Sequence, residues 1–195
     1  MLTYSPIDNI LTLDMTRSKF MTILYTISLC ETNDAISYFR MHEKSWLATY
    51  PNRHLGITKK ALKSSLNTQS LTQKVLRLTK LIENGKKPLF YVLKIEDKVI
   101  GMFDLAITKK EGEIKMLYLD PDYIGQGFGH DLISYAFDTL KTNGCKTVSV
   151  RVVDYNTRAI QFYLSHGFKA IGLIKNEFEI IEGVKLNSYQ MKRKL

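Results

Sequence analysis

The sequence has few cysteines and lacks the residue patterns that bind a structural metal ion. Only Cys30 and Cys145 occur, and neither has a CxxC partner or a companion histidine. A structural zinc site needs such a set of ligands, so no metal is predicted. The two thiols are either buried and reduced or joined in one disulfide, and the sequence leaves both states open.

The sequence also lacks a long hydrophobic run. Its early apolar stretch, residues 20–30, reads FMTILYTISLC and follows two basic residues. That run of about ten residues is too short to cross a bilayer, and no A-x-A-like cleavage site follows it. Its β-branched and aromatic residues favour a buried strand over a signal peptide. We therefore expect a cytoplasmic protein with no membrane partner.

The charge balance is basic, with 28 Lys and Arg against 19 Asp and Glu and a net charge of +9. Such a balance fits a basic surface, an anionic ligand or a nucleic-acid partner. The chain lacks the interleaved aromatic and basic residues and the recognition helix that are typical of nucleic-acid binding, so no nucleic-acid partner is predicted. The sequence leaves a homodimer open.

Length and periodicity predict one α/β (α+β) domain with a mixed, mostly antiparallel central sheet flanked by helices. Residues 1–19 are weakly patterned and read as an N-terminal extension or edge element, and residues 20–195 form the domain. Strands are predicted at 21–29, 89–95, 99–107, 113–119, 147–153, 168–174 and 184–192. Helices are predicted at 31–46, from Thr58 onward, and at 70–85, 129–144 and 156–168.

Three glycines stand between a predicted strand and a predicted helix, in the stretch YLDPDYIGQGFGHDLI at residues 118–133. Glycines before a helix N-terminus form a nest of backbone N–H groups that suits a phosphate. The alternative is a tight turn with close helix–sheet packing. The GxGxG spacing is neither GxxxxGK[ST] nor GxGxxG, so a Walker loop and a dinucleotide fingerprint are both excluded.

This loop resembles the acetyl-CoA-binding motif of the GNAT superfamily of N-acetyltransferases, whose core pattern is [QR]xxGx[GA]. The pattern falls on residues 124–129, with Ile124 where the family has Gln or Arg. A second family pattern, NxxAxxxYxxxGF, is matched further along by Asn156, Ala159, Tyr163, Gly167 and Phe168. The resemblance covers residues 21–192 and is strongest over 88–170.

The resemblance implies acetyl-CoA as cosubstrate and no metal. The pyrophosphate is expected at the loop, against Ile124, Gly125, Gln126, Gly127, Phe128 and Gly129. The pantetheine arm is expected beside Met116, Leu117 and Leu119, with a contact to Asn156. The alternatives are an ordinary central strand and a plain helix N-cap.

The resemblance also implies catalytic roles. Tyr163 is expected to protonate the leaving thiolate, although its spacing also suits a buried helix face. Glu113 stands where some members carry a general base, or is a solvent-exposed strand residue. Trp46, Tyr50 and Tyr118 are expected to line the acceptor pocket, or to pack a helix on the sheet.

Together these features predict an N-acetyltransferase that moves an acetyl group from acetyl-CoA to a primary amine of a small molecule, peptide or protein. Neither motif contains a cysteine, so direct attack in a ternary complex is expected. The alternative is a catalytically silent acyl-CoA-binding regulatory module, suggested by the apolar side chain of Ile124.

Overall fold

A nine-stranded sheet organises the chain in the computed structural model, which describes residues 2–4, 10–13, 24–85 and 88–195. Its strand order is β1-β2-β3-β4-β5-β6-β7-β9-β8, and its neighbours are antiparallel except for the parallel pair β6–β7. The strands are β1 (Leu2–Tyr4), β2 (Ile10–Leu13), β3 (Tyr25–Leu29), β4 (Leu89–Ile95), β5 (Lys98–Thr108), β6 (Glu111–Leu119), β7 (Thr147–Val153), β8 (Lys169–Ile181) and β9 (Val184–Lys194). The predicted fold class is confirmed.

Five helices flank the described sheet. They are α1 (Ala35–Thr49), α2 (Lys59–Leu66), α3 (Leu71–Glu83), α4 (Phe128–Thr142) and α5 (Thr157–Ser165). α3 begins where Ser70 accepts the Gln73 N–H at 3.2 Å, because a serine N-cap satisfies one of the unpaired amides of the first turn.

The described core has three clusters of buried residues, and two of them lie under helices on opposite faces of the sheet. α4 buries the apolar stripe that its periodicity predicts, made of Leu132, Ile133, Ala136, Phe137 and Leu140. This stripe packs on one face of the central strands. α1 and α3 cover the other face, with Tyr38 and Leu78 in its core. Cys30 and Cys145 belong to different clusters, and no disulfide joins them.

Strand bounds follow the predictions closely except in the C-terminal hairpin. β4 and β7 have the predicted limits, but β8 runs to Ile181 instead of ending near residue 174. Register shifts and a positive φ of 50° at Asn176 let the strand continue through a polar segment. A polar segment that looks like a turn in sequence is absorbed here as a bulge. Of the first predicted strand, residues 21–23 lie outside the described part of the chain.

Candidate active site

β6 and β7 separate part-way along their length and leave a wedge in the sheet. They pair along residues 111–114 and 147–150, and no ladder pair joins them beyond these residues in the described chain. β6 continues to Leu119 with β5 as its ladder partner. A register shift leaves Lys115 as an extra residue between two paired positions, and such a bulge increases strand twist. Residues 115–119 therefore offer a strand edge to which an extended chain can add.

The side chains of this β6 segment point alternately to the two faces of the sheet. Met116 and Tyr118 pack toward α1 and α3. Leu117 and Leu119 pack on the α4 side. The three residues expected beside the pantetheine arm thus lie on the opened edge, with their side chains engaged in the core. A ligand along this edge would meet their backbone atoms.

The glycine loop places unpaired backbone amides at the N-terminus of α4. Gly125 and Gly127 have φ values of 85° and 96°, and a Cβ on either would meet nothing within 4 Å. The backbone conformation, and not lack of space, therefore requires glycine at both positions. Within the described chain, the N–H groups of residues 125–127 donate no backbone hydrogen bond. The N–H groups of Phe128 and Gly129 in the first turn of α4 donate none either, whereas those of His130 and Asp131 bond to the Gly127 carbonyl. Residues 125–129 therefore present free amides of the kind that suit an anion.

The other loop residues support this conformation. Gln126 donates from Nε2 to the Asp122 carbonyl at 3.0 Å, so its side chain closes the loop on itself. Phe128 is buried and lies edge-on to Tyr25, with ring centroids 5.3 Å apart. Gly129 faces the Phe162 ring, which a Cβ would approach to 3.4 Å. Ile124 is 40% exposed and brings no polar atom to the loop.

α5 brings the second motif to the same region. Asn156 is its N-cap, and its Oδ1 accepts the Ala159 N–H at 3.1 Å. Tyr163 is buried, and its ring lies edge-on 5.2 Å from that of Phe168. Burial raises the pKa of the Tyr163 phenol above its ordinary value, and the nearby Tyr50 adds to the rise. The phenol therefore keeps its proton at neutral pH.

The three residues expected to line the acceptor pocket form one hydrogen-bonded aromatic cluster. Trp46 donates from Nε1 to the Tyr118 hydroxyl at 2.9 Å, and the Tyr50 and Tyr118 hydroxyls lie 3.0 Å apart. The rings of Trp46 and Tyr50 are T-shaped, with centroids 5.0 Å apart. Burial raises the pKa of Tyr118 to about 12 against the opposing hydrogen bonds from Tyr50 and Trp46. We call these three side chains the aromatic cluster.

Glu113 lies nearer the start of β6 than Tyr118 does, and its carboxylate pairs with two positively charged side chains. Its carboxylate pairs with Lys115 at 2.7 Å and with Arg151 at 2.8 Å. Burial raises the pKa of Glu113, but the hydrogen bonds from these two side chains outweigh it and leave the pKa below its ordinary value. A carboxylate with a lowered pKa is a weaker base. The catalytic role of Glu113 stays a prediction.

A known family matches the stretch of sequence that carries the loop and the second motif. The sequence model of the acetyltransferase (GNAT) family matches residues 60–168, more than half of the chain. The chain belongs to this family.

Similar proteins agree with this assignment. The ribosomal protein bS18-alanine N-acetyltransferase of Escherichia coli K12 is 28% identical over 103 residues, 53% of this chain and 62% of that enzyme. The spermidine N(1)-acetyltransferase of Thermoplasma acidophilum is 24% identical over 136 residues, 70% of this chain and 83% of that enzyme. The chain spans 45% to 62% of the length of several curated relatives it matches.

A solved structure shows the same fold. The PaiA N-acetyltransferase of Thermoplasma acidophilum, crystallised in complex with coenzyme A, superposes with a TM-score of 0.70 at 20% identity. The match covers 88% of this chain and 99% of that one. The likeness shows that the two chains share a fold.

Two ionisable residues near the aromatic cluster were not expected from the sequence. They are His42, which is partly exposed but has a buried Nε2, and Asp104, which is buried. His42 lies one turn before Trp46, with its ring 5.0 Å from that of Tyr118. Its Nε2 is buried without a hydrogen-bond partner among the described residues. Burial, with a contribution from Lys74, lowers the pKa of His42 to about 4. The 42-46-50 spacing on one helix face is the signal that could have identified it.

Asp104 is the second of these residues and stands on β5. It is 1% exposed and accepts a hydrogen bond from the Tyr38 hydroxyl at 2.7 Å. Burial raises the pKa of Asp104 to about 7, against the opposing hydrogen bond from Tyr38. A single acid within the apolar run VIGMFDLAI was its signal in the sequence.

The described residues contain no group of three or more His, Cys, Asp or Glu side chains that could hold a metal ion. No helix in the described ranges is long and apolar enough to cross a membrane.

Proposed function

We propose that this GNAT protein transfers an acetyl group from acetyl-CoA to a primary amine of a small molecule or peptide, by direct attack in a ternary complex. The observation that carries the proposal is the convergence of the unpaired loop amides, the opened edge of β6 and the buried phenol of Tyr163. These features lie in or beside the stretch that matches the family.

The backbone provides most of the proposed cosubstrate site. The amides of residues 125–129 would meet the pyrophosphate, because free amides at a helix N-terminus, oriented by the glycine backbone conformations, favour an anion. The edge of β6 at residues 115–119 would pair with the extended pantetheine arm. Asn156 uses Oδ1 as the cap of α5, so its Nδ2 group is the part of the side chain that could contact the arm.

Tyr163 is proposed as the general acid. The amine nitrogen attacks the thioester carbonyl, a C–N bond forms and the C–S bond breaks. Tyr163 gives its proton to the leaving sulfur, and the proton lost by the amine restores the phenol, so charges and protons balance. Burial raises the pKa of the phenol and makes it a weaker acid, so it can give up its proton only as negative charge develops on sulfur.

The acceptor site is proposed at the aromatic cluster, and its electrostatics favour an amine with few other positive charges. The carboxylates on the neighbouring strands already have partners. Arg151 pairs with both Glu113 and Glu177, and Asp154 accepts a hydrogen bond from Asn187 at 3.0 Å. A polyamine needs unpaired carboxylates to replace its hydration. We therefore expect peptide or simple amines to be better acceptors than spermidine.

Release of the coenzyme A thiol tests the proposal. Acetyl-CoA is supplied with a panel of amines that includes an alanine-initiated peptide, a simple alkyl amine and spermidine. Wild type is compared with Tyr163→Phe and with Tyr189→Phe, a control on the α4 side of β9. We expect kcat to fall about 100-fold in Tyr163→Phe, with an unchanged KM for acetyl-CoA and a normal control.

The outcomes are distinct. An unchanged kcat in Tyr163→Phe at every pH would remove Tyr163 as the acid. Coenzyme A binding without turnover on any amine would instead favour the silent acyl-CoA-binding module.

A further inference from the structure

A lysine of α1 reaches the turn that precedes the glycine loop. Lys44 Nζ lies 2.6 Å from Asp120 Oδ1 and 2.6 Å from Asp122 Oδ2. Asp120 follows the last residue of β6, and Asp122 lies three residues before Gly125. Two ion pairs therefore join α1 to the segment that leads from the opened edge of β6 into the loop.

Asp120 holds this turn from the inside. Its side chain is 5% exposed, and its Oδ1 also accepts the Asp122 N–H at 3.0 Å. The N–H of Asp120 donates to the Ile100 carbonyl at 2.7 Å and so fixes the turn to β5. A buried carboxylate is costly without a positive partner, and Lys44 supplies that partner.

The turn also brings negative charge close to a loop that is proposed to bind an anion. The Asp122 side chain is 70% exposed, and its backbone carbonyl accepts a hydrogen bond from Gln126 in the loop at 3.0 Å. Hydrogen bonding to Lys44 and the charge of Lys44 lower the pKa of Asp122, and Lys98 adds to this effect. Asp122 is therefore ionised at neutral pH, and its charge opposes a phosphate at the loop.

The helix that carries Lys44 also lines the proposed acceptor site. Trp46 and Tyr50 of the aromatic cluster follow Lys44 along α1. Ser45, the next residue after Lys44, donates from Oγ to the carbonyl of Leu119, the last residue of β6, at 2.9 Å. The contacts of Lys44 and Ser45 thus fix the acceptor helix against the chain that enters the loop.

We propose that Lys44 is a positioning residue for the cosubstrate site and acts through Asp120 and Asp122. It holds the turn ahead of the glycines, and it offsets two carboxylates that would otherwise repel an anion at the loop. The inference rests on the proposed function, because it assumes that the loop binds acetyl-CoA. It adds a residue of α1, outside both family motifs, to the residues on which cosubstrate affinity depends.

The two partners of the exposed ion pair have opposite expected effects. Lys44→Met leaves both carboxylates without this cation, so we expect coenzyme A to bind about fivefold more weakly, at the upper end for one exposed charge. Asp122→Asn removes a negative charge while Lys44 still pairs with Asp120, so coenzyme A should bind about twofold to threefold more tightly. Because Asp122→Asn leaves the buried pair intact, its result does not depend on the folding of Lys44→Met.

Calorimetric titration with coenzyme A near pH 8, where its phosphates are ionised, measures both effects. Lys141→Met is the matched control. Lys141 is 52% exposed against 44% for Lys44, and it also pairs with an aspartate, Asp138, but in the last turn of α4. This variant loses the same charge and should bind as wild type does. High salt should reduce the differences between variants, because it screens exposed charges.

The double variant Lys44→Met/Asp122→Asn separates charge from general damage to the fold. It has the same local net charge as wild type, so its affinity should return to within about twofold of wild type. A merely structural role of Lys44 would leave the double variant as weak as Lys44→Met. That result, weaker binding by Asp122→Asn, or wild-type affinity in a folded Lys44→Met would overturn the inference. Failure of wild type to bind coenzyme A would instead overturn the proposed function.

Discussion

The wedge with its glycine loop and the face of the sheet under α1 are built in different ways. The wedge uses backbone: the unpaired amides of residues 125–127 and the free edge of residues 115–119. The α1 face uses side chains that come from separate segments, with Trp46 and Tyr50 meeting Tyr118. A backbone site can bind a ligand shared by a whole family, whereas a side-chain site can change its acceptor by substitution. We infer that cosubstrate binding is the more general property and acceptor choice the more individual one.

The two regions also differ in their response to pH. The loop is exposed, but the α1 face holds two buried groups whose pKa values move in opposite directions. The folded state favours the neutral form of both Asp104 and His42. Asp104 is neutral when protonated, so it favours folding at low pH, whereas His42 is neutral when deprotonated, so it favours folding at high pH.

The largest expected effect is therefore on stability as a function of pH. The pKa of Asp104 rises from 3.8 unfolded to about 7 folded, so its contribution falls as pH rises through this window, by up to about 4 kcal/mol. The pKa of His42 falls from 6.5 to about 4, so its contribution increases as pH rises from 4 to 6.5, by up to about 3 kcal/mol. In wild type these two opposite dependences of the free energy of unfolding on pH largely cancel.

Urea unfolding from pH 4 to 7 should separate these contributions. The free energy of unfolding should rise with pH in Asp104→Asn and fall with pH in His42→Asn. Asp138→Asn, whose side chain is 79% exposed, is the control and should follow wild type. If Asp104→Asn and wild type run parallel, Asp104 is ionised in the folded protein and the argument is wrong.

The second prediction concerns the loop. Gly127→Ala places a Cβ on a residue with φ of 96°, which costs about 1–2 kcal/mol and favours a changed loop backbone. Because the loop amides would then turn away from the anion, we expect coenzyme A to bind about 5- to 30-fold more weakly, which corresponds to the same 1–2 kcal/mol. The measurement is calorimetric titration with coenzyme A.

Gly144→Ala is a matched control for this change. Gly144 also has a positive φ, 77°, and open space around it, but it follows the C-terminal end of α4. It should lose similar stability while coenzyme A affinity stays at the wild-type value. Equal affinity losses in both variants would mean that general destabilisation, not the loop, explains the effect.

The contrast between the regions also explains what could be predicted from sequence. The limits of β4 and β7 and the positions of the loop glycines follow from local patterns, because turns and strand ends depend on neighbouring residues. The separation of β6 from β7 could not be read from residues 111–119 alone, since it depends on pairing with a strand that begins at Thr147. The family resemblance supplied what local pattern could not.

His42 and Asp104 show the same limit on the side-chain region. Each is one polar residue in an apolar setting, and only the packing of α1 on the sheet shows that Asp104 and the Nε2 atom of His42 are buried. β8 is a converse case, in which a polar segment looked like a strand end and the bulge at Asn176 carried the strand onward. In each of these cases, contacts between segments distant in sequence determined the structure, and the local sequence pattern did not.

The third prediction concerns the aromatic cluster. Trp46→Phe keeps an aromatic ring but removes the Nε1 donor to the Tyr118 hydroxyl. Losing one such bond is worth about 1 kcal/mol, so we expect the KM for the best amine to rise about fivefold. Affinity for coenzyme A should not change, and Tyr189→Phe again serves as the control. A loss confined to coenzyme A binding would place Trp46 in the wedge instead.

The smallest effect is expected for Glu113→Gln. The ion pairs with Lys115 and Arg151 hold the pKa of this carboxyl low, so at neutral pH it is a weak proton acceptor that already has partners. We expect kcat/KM to change by less than about threefold, because a residue outside the proton path contributes little to the transition state. The acidic limb of the pH profile of kcat/KM should stay at the same pH in this variant.

Glu111→Gln is the matched control for Glu113→Gln. Glu111 lies two residues earlier on β6 and is likewise paired with a lysine, Lys192. Both variants remove one carboxylate from an ion pair on the same strand. A difference in their activity would therefore report a catalytic role of Glu113, and not an effect of the lost surface charge. A fall of about 100-fold that is confined to Glu113→Gln and accompanied by loss of the acidic limb would establish Glu113 as the base. The proton of the amine would then pass to the Glu113 carboxylate on β6.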